Sequence, residues 1–157
     1  MKYCKVTTLQ HPLAKKYPAC LQELLYCIKQ EGGKGTLFCN KEICINLDEV
    51  EKQLGHADRE ATMDATVGLS KQGKNREMLL VEFRFRYKSP RNISEANIRD
   101  KINHSRDLLG GAVSKDYIFI FTSNKNEARS HFNRLFRGKK VSCRIMDENE
   151  FYATYFE

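Results

Sequence analysis

Proline and glycine are scarce here, three and nine among 157 residues, and no repeat, low-complexity tract or Ser/Gly-rich linker interrupts the chain. These absences exclude fibrous, solenoid and largely disordered architectures. They leave one domain over residues 1–157, because a chain near this size buries about 68–70% of its unfolded surface. Long apolar runs are also missing. The longest aliphatic and aromatic run, residues 117–121, falls far short of the roughly 18 residues a membrane span needs. The opening MKYCKVTTLQHPLAKKYP carries no apolar signal region. A cytoplasmic protein with no membrane partner is therefore expected. No P-loop, GxGxxG or Ser/His/Asp pattern is present, so nucleotide-fold and serine-nucleophile chemistry have no support.

Six cysteines are present (Cys4, Cys20, Cys27, Cys39, Cys44 and Cys143). Without an export signal they read as reduced thiols, most of them packing residues. Cys39 and Cys44 could begin a zinc site with His56 or His11, but no second close pair completes it. The net charge of +7 favours polyanionic partners, since Lys and Arg displace counterions from phosphates. A soluble basic surface explains the same charge.

Apolar spacing places a helix over residues 19–30, stopped by Gly32 and Gly33. Residues 36–47 alternate around Asn40-Lys41 and suggest a short hairpin, followed by a short helix capped by Asp48 and ended by Gly55. Met63, Ala65, Val67 and Leu69 alternate with polar residues, as do Leu79, Val81, Phe83, Phe85 and Tyr87. Two half-buried strands joined by a turn at Gly73 follow from that period of two. A helix from Asn92 or Ser94 to Leu109, a doubly covered strand over 116–122, a basic helix over 127–136, a strand over 141–146 and a terminal helix complete the order. The fold class is α/β, a mixed sheet flanked by helices.

A hairpin symmetric about Gly73 pairs Ala65 with Val81, Thr62 with Arg84 and Asp64 with Glu82. The pairing is tested by its own consequence, because only this register sets Met63, Ala65 and Val67 on the face of Leu79, Val81 and Phe83. Two carboxylates then oppose each other with Cβ atoms roughly 4.5–5.5 Å apart, an unfavourable juxtaposition. Arg84 on the same face relieves part of it, and a Mg²⁺ or Mn²⁺ ion held by Asp64 and Glu82 would relieve more. Lys71, Lys74, Arg76, Arg86 and Lys88 crowd the same hairpin as candidate nucleic-acid contacts, DNA being the expected polymer. A second basic group, Arg129, Arg134, Arg137, Lys139 and Lys140, reads equally as phosphate-binding or as a solvated helix face.

Met63-Asp64 followed by Leu79-Leu80-Val81-Glu82-Phe83-Arg84, then a helix and a strand, resembles the PD-(D/E)XK phosphodiesterases, the restriction-endonuclease-like superfamily. The resemblance covers residues 60–122. It implies a restriction-endonuclease-like fold and a metal-dependent nuclease in which Asp64 and Glu82 hold the ion. Met63 stands where the family has its proline, and Arg84 where it has the lysine that orients the attacking water. Arginine cannot shuttle a proton; Lys88, on the same alternating face, is a candidate for a migrated lysine. Glu23 matches the helix position from which some members add an acidic ligand, and His104 lies on the helix that approaches the site. A catalytically inactive binding or regulatory module of the same fold is the alternative, and so is a protein that needs a partner chain or a homodimer to cleave. The blandest alternative is a solvated hairpin face on which Asp64 pairs with Arg84 and Glu82 with Arg86.

Overall fold

The computed structural model describes residues 1–86 and 89–157, so Lys88 lies outside the described residues. Strand β4 (Ala65–Lys71) and strand β5 (Lys74–Phe83) form the hairpin at its centre. Ala65 faces Val81, Thr66 faces Leu80 and Val67 faces Leu79, the register that alternation required. Gln72 and Gly73 both take positive φ, 50° and 74°, as a two-residue turn with the twist of paired strands demands. Asn75, also at positive φ (48°), lies where β5 carries one residue more than β4, between the Leu69–Glu77 and Lys71–Lys74 pairs. That bulge reconciles the tight turn with the register further along.

Around the hairpin the described residues form a seven-stranded mixed sheet. On one side of β4 lie β1 (Lys2–Tyr3), β3 (Ile43–Asn46) and, beyond β3, β2 (Leu21–Glu23), all antiparallel to their neighbours. On the far side of β5, strands β6 (Val113–Ile120) and β7 (Ser142–Met146) run parallel to it. Parallel neighbours need crossovers, here helix α5 (Glu95–Leu109) between β5 and β6 and helix α6 (Lys125–Leu135) between β6 and β7. Ser94 caps α5 by accepting from the Asn97 N–H, and Asp147 forms a capping box on α7 (Glu148–Tyr155). The sheet is buried on both faces. Leu80, Phe119, Ile98, Ile102 and Phe132 pack on one face, and Leu79, Val81, Ile118, Leu24, Ile28 and Phe151 on the other.

Near the amino terminus the structure departs from the sequence reading. Residues 19–30 are not one helix: Pro18–Cys20 is a 3₁₀ turn, Leu21–Glu23 is β2, and helix α3 covers only Leu24–Gln30. Sheet pairing of Leu21 with Ile45 and Gln22 with Cys44 overrides the helical spacing there. The hairpin expected over 36–47 is absent, since β3 alone forms and pairs with β2 and β4. Helix α4 (Leu47–Leu54) is capped by Asn46, which accepts from the Glu49 N–H, and not by Asp48.

Two short helices, α1 (Lys5–Gln10) and α2 (Pro12–Lys16), had no signature in the sequence. Helix α1 lies directly on β4 because residue 68 is glycine: an added Cβ there would sit 2.5 Å from the Thr8 backbone nitrogen. The approach is held by two hydrogen bonds of 2.8 Å, Cys4 N–H to the Gly68 carbonyl and Gly68 N–H to the Thr8 hydroxyl. No helix among the described residues is long and apolar enough to cross a membrane.

Candidate active site

Alternation sets the even-numbered residues of β4 and β5 on one face, but that face is not solvated. Thr66 is fully buried and returns its hydroxyl to the Leu79 carbonyl at 2.9 Å, and Glu82 is 2% exposed. The reason is α5, which covers this face with Ile98 and Ile102. A solvated hairpin carrying exposed ion pairs is thereby excluded. Arg86 does not pair with Glu82 either; its guanidinium donates to the Gln30 carbonyl at the end of α3. Met63, one residue outside the strand alternation, packs in the α5-side core and not with Ala65 and Val67.

Asp64 immediately precedes β4 and is held on both sides. Its carbonyl accepts from the Leu47 N–H at 3.1 Å, and the Met63 N–H donates to the Ser105 hydroxyl of α5 at 2.8 Å. The Asp64 carboxylate turns along the ladder, where Oδ2 accepts from the Phe83 N–H at 2.7 Å. It lines a cavity of about 230 Å³ with Cys27 of α3, Glu31 just after that helix, Asp48 and Lys52 of α4, and Phe83. Glu82 reaches towards α5. Its Oε1 meets the Arg84 guanidinium at 2.7 Å and the Lys101 ammonium at 2.6 Å, while its Oε2 is buried without a hydrogen-bond partner among the described residues.

Burial first, and the charge of Glu82 second, push the Asp64 carboxyl up from its ordinary range to about 8. Glu31 adds to the rise, while the Phe83 amide and Lys101 oppose it. The charge of Glu82 thus reaches Asp64, which carries the proton near neutrality. Glu31, not Glu23, is the acid from this segment whose charge acts on Asp64. Glu23 ends β2 opposite Ile43.

Lys101 escaped the sequence reading. It stands three residues after Ile98 and four before Ser105, at the flank of the buried stripe of α5, where a lysine stem lies along apolar surface and its ammonium emerges at the rim. One turn on, His104 Nε2 lies 2.7 Å from Glu51 Oε2, and its Nδ1 lies 2.5 Å from Glu60. Glu51 is buried, and its Oε1 accepts from the Glu60 N–H and meets His56 Nδ1, both at 3.1 Å. Burial alone would raise the Glu51 carboxyl, but hydrogen bonds from His104, the Glu60 amide and His56 outweigh it and hold the group at about 2. This cluster ties the segment leading to Asp64 onto α4 and α5. His104 therefore braces that segment instead of entering the carboxylate pair.

Among the described residues, the hairpin cations Lys71, Lys74 and Arg76 do not gather at the site. Lys71 and Lys74 flank the turn and Arg76 contacts Gln10, whereas Glu82 lies eight residues beyond Lys74 on β5, about 27 Å at about 3.4 Å per residue. Cys44 is buried with its Sγ 3.4 Å from Cys27 Sγ, and Cys39 is exposed. Among the described residues no group of three or more His, Cys, Asp or Glu side chains is arranged to hold a metal ion. No protein-family model, curated protein or solved structure matches the chain.

Proposed function

We propose that the protein is a metal-dependent phosphodiesterase of restriction-endonuclease-like fold, acting in the cytoplasm on nucleic acid, with DNA the expected polymer. The observation that carries this reading is Glu82: a buried carboxylate with one oxygen unpartnered among the described residues, whose charge adds to the burial that raises the Asp64 carboxyl. Leaving a carboxylate oxygen so placed costs about 1–3 kcal/mol or more, and perturbed acids in pairs of this kind cluster at functional sites. Supporting it are the antiparallel hairpin with Asp at its entry and Glu82-Phe83-Arg84 on the second strand, then α5 and the parallel β6.

Asp64 and the free oxygen of Glu82 are hard oxygen donors suited to Mg²⁺ or Mn²⁺. An ion bound there supplies Lewis acidity to the phosphoryl oxygens of the scissile bond. Asp64 must release its proton to serve as a ligand. Arg84 keeps its charge at any working pH and offers a planar fork to a phosphate oxygen. Lys101 brings to Glu82 the ammonium that the strand itself lacks, able to orient water or hold a proton at Nζ. Target selectivity would come from a homodimer or a partner chain.

Supercoiled plasmid incubated with Mg²⁺ or Mn²⁺ should be nicked by the wild type and left intact by Glu82→Ala. Cleavage that survives this substitution would remove the site. A second reading, a non-catalytic nucleic-acid-binding module, is favoured by the two cations already on Glu82 Oε1, which balance its charge without an ion. Calorimetric titration separates the two: Mn²⁺ binding that Asp64→Asn abolishes supports the enzyme, and no binding supports the module.

A further inference from the structure

A second concave site lies at the other end of α5. A cleft of about 440 Å³ opens where the last turns of α5, the start of β6 and the segment entering β7 meet. Arg106, Lys115, Lys139 and Lys140 line it with Tyr117 and Ser142, and no carboxylate does. Lys139 is engaged by Glu95, and the neighbouring Asp116 accepts from the Ser142 hydroxyl at 2.6 Å and lies 3.5 Å from Arg144. Among the described residues, Arg106, Lys115 and Lys140 form no ion pair with a carboxylate.

The guanidinium of Arg106 is instead set by a neutral partner. It donates to the hydroxyl of Tyr117 at 2.8 Å, and Tyr117 is 92% buried by its complementary 8% exposure. A phenol orients the fork without neutralising it, so the charge stays available to an incoming anion. Three cations without an ion pair among the described residues, one of them oriented, around a cleft that no carboxylate of the described residues lines form a receptor for closely spaced negative charges.

We infer that this cleft binds the phosphate backbone of a nucleic acid whose scissile bond lies at Asp64 and Glu82, an assignment of ligand that rests on the phosphodiesterase reading. Charge complementarity argues for that ligand: Arg106, Lys115, Lys139 and Lys140 converge on one cleft of a chain with net charge +7, and a polyphosphate backbone supplies negative charges at matching close spacing.

The test is fluorescence anisotropy of a short fluorescein-labelled DNA duplex with metal-free protein in EDTA. The Lys115→Gln/Lys140→Gln variant should bind on the order of tenfold more weakly than wild type, with the slope of log K against log salt reduced by about 1.8. Lys15→Gln/Lys16→Gln, which removes the same charge from exposed α2, should bind as wild type does. Equal losses in the two lysine pairs would reduce the effect to net charge and overturn the inference. So would unaltered binding by the cleft variant, absence of wild-type binding, or binding to phosphatidylserine vesicles but not to DNA. If plasmid nicking fails while the cleft variant still loses binding, the phosphodiesterase reading falls and the cleft stands.

Discussion

Oε1 of Glu82 carries two cations at once, the Lys101 ammonium at 2.6 Å and the Arg84 guanidinium at 2.7 Å, while its twin oxygen carries no hydrogen bond among the described residues. The two cations are unlike in what they can do. Arg84 contributes fixed charge from the strand, and Lys101 contributes a titratable donor from a helix that packs on the strand only after folding.

Replacing Lys101 therefore discriminates charge from proton handling. Lys101→Met should lower metal-dependent cleavage by about 10²–10⁴-fold, the usual span for a lost general acid or base. Lys101→Arg should restore stability in urea but not cleavage. Full activity in the arginine variant would show that only the charge matters.

Asp64 couples stability to pH in a direction opposite to an ordinary ion-paired acid. Its folded value of about 8 lies above its ordinary 3.8, so the folded state binds the extra proton. Its favourable contribution is present below about 3.8 and is lost as pH rises towards 8, at up to about 1.4 kcal/mol for each unit. Asp64→Asn keeps the neutral shape, so its melting temperature should exceed that of wild type by a margin widening from pH 4 to pH 8. A constant margin would refute the shift.

The same proton opposes metal. Mn²⁺ affinity should rise about tenfold per pH unit up to about pH 8 and then level off, with one proton released on binding. Calorimetry in buffers of different ionisation enthalpy measures that release, and a pH-independent affinity would exclude Asp64 as a ligand.

Glu51 behaves with the other sign. Held at about 2 when folded against an ordinary 4.5, it stabilises the protein above about pH 4.5 and loses that contribution as pH falls towards 2. Glu51→Gln leaves His104 and His56 without their carboxylate and should cost about 3 kcal/mol at pH 7, a difference that narrows at pH 3. Urea unfolding at the two pH values reads it out.

Gly68→Ala tests the docking of α1. Its Cβ would meet the Thr8 nitrogen at 2.5 Å and the Thr7 carbonyl carbon at 2.8 Å, backbone atoms that a rotamer change cannot move. A loss of about 1–3 kcal/mol is expected from such overpacking, measured as a lower urea midpoint.

The hairpin register, the Ser94 cap and the covered β6 were legible in the sequence because each rests on local rules: alternation, turn chemistry and side chains bonding a few residues away. Alternation fixes which residues share a face but says nothing of what covers it, and here α5 makes that face dry, so Glu82, which read as a member of a surface ion pair, is buried and its charge acts on Asp64. Lys101 at Glu82, His104 at Glu51 and the basic cleft around Arg106 all depend on α5 crossing from β5 to β6 and docking at one position along the sheet. That position is chosen by the packing of the whole core, and no short stretch of sequence contains it.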